Sequence, residues 1–120
     1  MRIAITTWQG RISPVFDSSQ WLQLFDDSGV RLFSEREYIG DEAPFGKVER
    51  IKKLGADILI CGAITRPLQF DLANSNIRVY PFVCGDVAAV LDAFIRQHDI
   101  DDRFAMPGRR RRRRNRRGRP

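Results

Sequence analysis

Histidine and cysteine are scarce in this chain, which has one histidine, His98, and two cysteines, Cys61 and Cys84. His98 falls near the end of a predicted helix beside Asp99, Asp101 and Asp102, where a solvated helix-end cation accounts for it. No Ser-His-Asp or Cys-His arrangement can be built around it. Two cysteines 23 positions apart make no disulfide framework of the secreted kind, and C-x22-C lacks the spacing of a zinc motif. Long apolar runs are also missing. The longest, around Ile58 to Ile64, is far short of the ~20 residues a membrane span requires. The N-terminal residues read as a strand rather than as a signal segment, so the expectation is a cytoplasmic protein without membrane association. Neither G-x-x-x-x-G-K-[ST] nor G-x-G-x-x-G occurs, which disfavours nucleotide binding through a standard loop. The carboxylates are scattered and the first strand carries none, which disfavours a nuclease-type metal site and hydrolysis in general.

What remains is 120 residues with 42% hydrophobic and 30% charged side chains, enough for one domain with one modest core. The net charge of +6 conceals a segregation: nine of the 21 basic residues are arginines within 109–120. Residues 1–108 hold twelve Lys and Arg against all fifteen Asp and Glu, a body charge of −3. The expected organisation is an α/β domain over 1–98 followed by a disordered tail over 99–120, Arg-rich from 109. Such a tail has two readings. It can bind phosphates on nucleic acid or an acidic partner, or it can simply be solvated.

Arg2 to Thr6 reads as a buried strand, and residues 7–19 as a long loop. Trp21–Asp26 and Val30–Tyr38 read as two strands of a hairpin joined by Asp27-Ser28-Gly29. From residue 43 the period becomes helical, with Phe45, Val48, Ile51 and Leu54 on one face and Gly55 as terminator. Residues 57–61 form a short apolar strand. A helix follows from Thr65, its N-cap, with Pro67 in the first turn. Ile77–Phe82 is the last strand. Val87, Val90, Leu91, Phe94 and Ile95 mark the most amphipathic helix, capped by Asp86. The order β-β-β-α-β-α-β-α predicts an α/β fold, a mixed five-stranded sheet with helices on both faces. Ile3, Ile5, Leu59, Val79, Val90, Leu91 and Phe94 are the expected core.

In that topology the first, fourth and fifth strands are parallel, and their C-terminal ends bring three loops to one edge, where ligands of open α/β sheets bind. Cys61-Gly62 and Cys84-Gly85 both fall there. Accessible backbone N–H groups beside each sulfur, and a helix start just after, favour a thiolate or an anionic ligand. Thiolates select soft metals or metal–sulfur clusters, which makes Cys61 and Cys84 the candidate metal ligands and Gly62 and Gly85 their companions. Arg11 and Arg66 are candidates to add charge facing the same ligand. Against this stands the plainer reading of each cysteine as a small buried hydrophobe, and of the arginines as ordinary surface residues. A cysteine pair also admits thiol redox chemistry. Trp8, Phe16 and Trp21 flank the long first loop, either roofing a site or covering the core.

The segments MRIAITTWQGRISPVFD, GADILICGAI and IRVYPFVCGDVAAVLDAF resemble the dinitrogenase iron–molybdenum cofactor biosynthesis domain family, the group of NifX, NafY and the C-terminal part of NifB that includes the orange protein. The resemblance covers residues 1 to about 96. It implies a three-layer ribonuclease-H-like fold without nuclease activity, and the expectation is a non-enzymatic protein. It also implies binding, carriage or handling of an iron–molybdenum or other metal–sulfur cluster, with a cluster donor or acceptor protein as partner. Many members carry a histidine before the Phe of the S-P-x-F loop, and Val15 stands there in this chain. The ligand role then falls to Cys61 and Cys84. The alternative function is a nucleic-acid-binding or regulatory module that uses the Arg-rich tail for phosphates.

Overall fold

The computed structural model describes residues 1–33 and 35–108. The run of arginines at 109–120, with its two readings as a phosphate binder or a solvated tail, lies outside the described residues. The chain opens with β1 (Arg2–Trp8), whose alternating Ile3, Ala4 and Ile5 are fully enclosed. It turns at Gln9-Gly10, both with positive φ (52° and 79°), into β2 (Arg11–Ile12). Two successive left-handed residues are what a tight primed hairpin needs. The region expected to be loop from residue 7 therefore begins as a hairpin, with Trp8 paired to Arg11.

β3 (Trp21–Asp26) pairs antiparallel with β1 from Thr7↔Trp21 to Arg2↔Asp26. Asp26 organises the following turn, its carboxylate accepting from the Ser28 amide at 2.9 Å and the Val30 amide at 3.0 Å. Those bonds, with the Ser28 hydroxyl bond first among them, hold its carboxyl below the usual range. The expected strand over Val30–Tyr38 is not continuous. The chain touches β3 at Arg31 and through the Leu32 amide, leaves it, and returns only as β4 (Glu37–Tyr38). The return point is fixed by side chains: Trp21 meets Tyr38 edge-on at 5.0 Å, and the Arg36 guanidinium lies 3.9 Å over the Trp21 ring.

α1 (Pro44–Lys53) has proline in its first turn and three basic residues in its last, as the helix dipole favours. β5 (Ile58–Ile60), α2 (Arg66–Asn74) and β6 (Arg78–Tyr80) complete two crossovers, and the sheet order is β4-β3-β1-β5-β6 with β2 added to β1. β1, β5 and β6 are parallel. α3 (Val87–Gln97) ends at His98, which takes a left-handed conformation (φ 56°) and donates its amide to Phe94 O. Thr65 and Asp86 occupy N-cap positions without making side-chain capping bonds.

Two core layers sandwich the sheet. Ala4, Leu24, Leu59 and Cys61 face Val48, Ile51, Leu68 and Leu72 of α1 and α2. Ile3, Ile5, Ile58 and Ile60 face Val87, Val90, Leu91 and Phe94 of α3. The fold is thus three-layered and α/β, and its sheet has six strands among the described residues rather than five. Val79, expected in the core, is only half-buried because β6 is an edge strand. Phe45, expected on the inner face of α1, is exposed, and Lys47 takes the inward place.

The segment after residue 98, expected to be disordered, is packed onto the body as far as Met106. Ile100 is fully buried, a 3-10 turn spans Asp102–Phe104, Ala105 bridges Val83, and the Met106 amide donates to Phe82 O at 3.0 Å. Ile100 and Phe104 carry the apolar surface that holds it there.

Candidate functional site

The parallel strands deliver three segments to one edge, as the topology requires: 9–19, 61–66 and 81–86. They are laced together rather than left open. Ala63 donates to Pro14 O and Phe16 to Ala63 O, each at 2.8 Å, while Ile12 donates to Gly85 O and Val87 to Gly10 O, each at 2.9 Å. Several N–H groups expected to face a ligand are therefore spent on the protein itself, including that of Cys84, which donates to Phe104 O at 2.7 Å.

The glycines have structural reasons of their own. A Cβ on Gly62 would collide with the carbonyl oxygens of Ser13 and Pro14, so glycine there admits the 13–14 backbone against the strand end. Gly85 has φ +128°, and a Cβ would meet the Phe104 ring at 3.1 Å.

Cys61 lies in the layer beneath α1 and α2 with no exposed surface. Burial, with the Asp17 carboxylate adding to it, pushes its thiol above the ordinary range, so it is a neutral, packed group. Cys84 is half-buried, and its thiol donates to Ala105 O at 3.4 Å. The two sulfurs therefore sit in different surroundings, one inside the core and one under the C-terminal segment. Among the described residues no group of three or more His, Cys, Asp or Glu side chains is placed to hold a metal ion.

Arg11 reaches Asp86 at 3.3 Å, an ion pair exposed on both sides and so worth at most about 1 kcal/mol. Arg66, the first residue of α2, is exposed and lines a groove against β6. Arg11 does not line that groove. Trp8 and Val15 stand about half-exposed at the edge, at 47% and 41%. Phe16 is wholly inside the core, and Trp21 meets Tyr38 edge-on.

Sequence reasoning missed Lys47. Its side chain is 2% exposed, and Nζ donates to Asp17 O at 2.8 Å and Ser19 O at 2.6 Å, anchoring the long first loop from below. Burial pushes the ammonium below its ordinary value, while Asp17 and Glu42 oppose that shift. Asp17 Oδ1 and Thr6 Oγ1 nearby in sequence to this loop and strand are buried without a hydrogen-bond partner. The signal was a second stripe on α1, Pro44-Lys47-Val48-Ile51, at i, i+3, i+4 and i+7.

Comparison with protein-family models matches residues 1–97 to the family described as dinitrogenase iron-molybdenum cofactor. Comparison with curated protein sequences finds no match. Among solved structures, PH0822 is 25% identical, with a TM-score of 0.70 and coverage of 79% of this chain and 88% of that one. TM1290 from Thermotoga, provisionally named a NifB protein, is 23% identical with a TM-score of 0.60, covering 80% and 88%. MJ0327 from Methanocaldococcus jannaschii, provisionally named a dinitrogenase, is 22% identical with a TM-score of 0.59, covering 80% and 88%. No described helix is long and apolar enough to cross a membrane.

Proposed function

Because the chain belongs to the dinitrogenase iron-molybdenum cofactor family, we propose that it handles a metal–sulfur cluster as cargo, without catalysing a reaction on it. The family match over nearly the whole described body carries this reading. The donor set supports carriage over permanent residence. One half-buried thiol, Cys84, lies at the loop edge, and Cys61 is closed off. A cluster gripped by so few protein ligands keeps exchangeable positions and can be passed on.

Cys84 makes the first thiolate contact after its hydrogen bond to Ala105 O is broken, which requires the 104–106 segment to yield. Cys61 becomes a second ligand only if the 13–16 segment lifts off Gly62. Arg11, at the same edge, offers charge to an anionic cargo if it leaves Asp86, while Val15 contributes only an apolar wall. Gly62 and Gly85 shape the edge rather than bind. The partner implied is a protein that donates or accepts the cluster. The nucleic-acid reading rests on the composition of residues 109–120 alone.

Anaerobic reconstitution with iron, sulfide and molybdate tests the proposal on the full chain, with metal and sulfide measured after desalting. Wild type retains metal and sulfide in a fixed ratio, Cys84→Ser loses most of it, and Cys61→Ser loses less. Equal uptake by all three proteins refutes a cysteine-held cargo.

A further inference from the structure

β6 is the edge of the sheet, with no strand beyond it among the described residues. The Arg78 amide donates to Asp57 O at 2.9 Å and the Cys61 amide to Tyr80 O at 3.1 Å, so Arg78 and Tyr80 are the residues bonded to β5. In a parallel ladder alternate residues turn both polar groups to the same side. Val79, between them, therefore directs its N–H and C=O away from the sheet.

That edge forms one wall of a groove of about 930 Å³, and α2 forms the other. Phe70, 68% exposed on α2, together with Val79 and Phe82, supplies apolar surface. Arg66 and Arg78 also line it, and no Asp or Glu does. Neither arginine has a carboxylate partner among the described residues; Arg78 bonds only the Tyr80 hydroxyl, at 3.4 Å. This basic, acid-free lining sits on a body whose net charge is −3. In a right-handed crossover α2 runs back against the strands, so Arg66 at its start and Arg78 at the start of β6 mark opposite ends of the groove. Nine helical residues set those ends about 13 Å apart, roughly four residues of extended chain.

We infer that this groove docks an extended acidic segment of another protein, which adds a strand to β6 at Val79 and places apolar side chains against Phe70 and Phe82. Carboxylates near its two ends meet Arg66 and Arg78. A second copy of this chain is a poorer occupant, because two-fold antiparallel pairing of the same edge sets Arg66 of one copy against Arg78 of the other. The inference is independent of the cluster reading.

The test measures fluorescence anisotropy of a labelled acetylated peptide, Glu-Asp-Val-Phe-Val-Asp-Glu, titrated with the full chain. Two further versions are N-methylated at alternate amides, one on the odd set and one on the even set. Only one set faces the sheet, so one version binds at least about fivefold more weakly and the other binds like the parent. The Arg66→Glu/Arg78→Glu variant, its fold checked by circular dichroism, also binds at least about fivefold more weakly. Both methylated peptides binding equally would overturn strand addition. Binding unaffected by the double variant would overturn the groove as the site and point to capture by the arginines at 109–120. No binding of the parent peptide would overturn the proposal outright.

Discussion

Lys47→Met keeps the aliphatic stem of the buried side chain and deletes only its ammonium group. Two bonds disappear, to the carbonyls of Asp17 and Ser19. Hydrogen bonds from a charged donor contribute about 1.5–3 kcal/mol each, and a buried carbonyl left without a partner costs about 1–3 kcal/mol. The opposing effect is relief from holding a cation away from water, the same burial that depresses its pKa. The carboxylate of Asp17, already carrying one unpartnered buried oxygen, loses a favourable charge as well. The net expected loss is about 2–4 kcal/mol, a large share of the roughly 5–15 kcal/mol that holds a domain folded. Urea unfolding followed by tryptophan fluorescence and by circular dichroism reads it as a lower midpoint at unchanged m. Limited proteolysis adds a local readout, with faster cutting in the 13–19 segment, which Lys47 fastens from beneath. The alkaline limb gives a second check. The native ammonium releases its proton below the unfolded value of about 10.5, so the unfolded chain binds more protons in that window. Wild-type stability relative to Lys47→Met therefore rises as pH climbs toward 10.5. A midpoint loss worth under about 0.5 kcal/mol, with unaltered cutting, would refute the loop-anchoring role.

Cys61→Ala tests the closed thiol. The native thiol ionises above the unfolded value of 9.0, so the stability it contributes is intact below pH 9 and lost above it. The advantage of wild type over Cys61→Ala should shrink above pH 9 by up to about 1.4 kcal/mol per unit, and a flat difference would mean the thiol is accessible. Gly62→Ala drives a methyl group into the carbonyls of Ser13 and Pro14 and should cost about 1–3 kcal/mol in urea unfolding. A neutral result would show that the 13–14 segment does not rest on this strand end.

The regular elements were legible because each carries its own period. The apolar run at 57–61, the i, i+3, i+4 spacing of Val87, Val90, Leu91 and Phe94, and the crossover order were enough to place three parallel strands and three helices. The candidate site was legible only in part. Cys61 and Cys84 do end up at the C-terminal ends of neighbouring strands, yet a strand-end position says nothing about depth. Cys61 is enclosed because it falls in the core layer with Val48 and Ile51 of α1 and Leu68 and Leu72 of α2, neighbours that strand position alone does not reveal. Lys47 was not legible because α1 carries two overlapping stripes, of which the one through Phe45 is the more apolar.

Residue order alone determined the class of fold, the parallel direction of β1, β5 and β6, the family resemblance and the split between an acidic body and an arginine-rich end, since these depend on local periodicity and on counting. Tertiary structure decided which groups are available for chemistry. The packing of 99–106 and the ammonium beneath the first loop arise from contacts distant in sequence. The physical reason is that desolvation is set by how many layers cover a group. For a thiol, an amide or an ammonium, that depth determines whether it binds a ligand or holds the fold together.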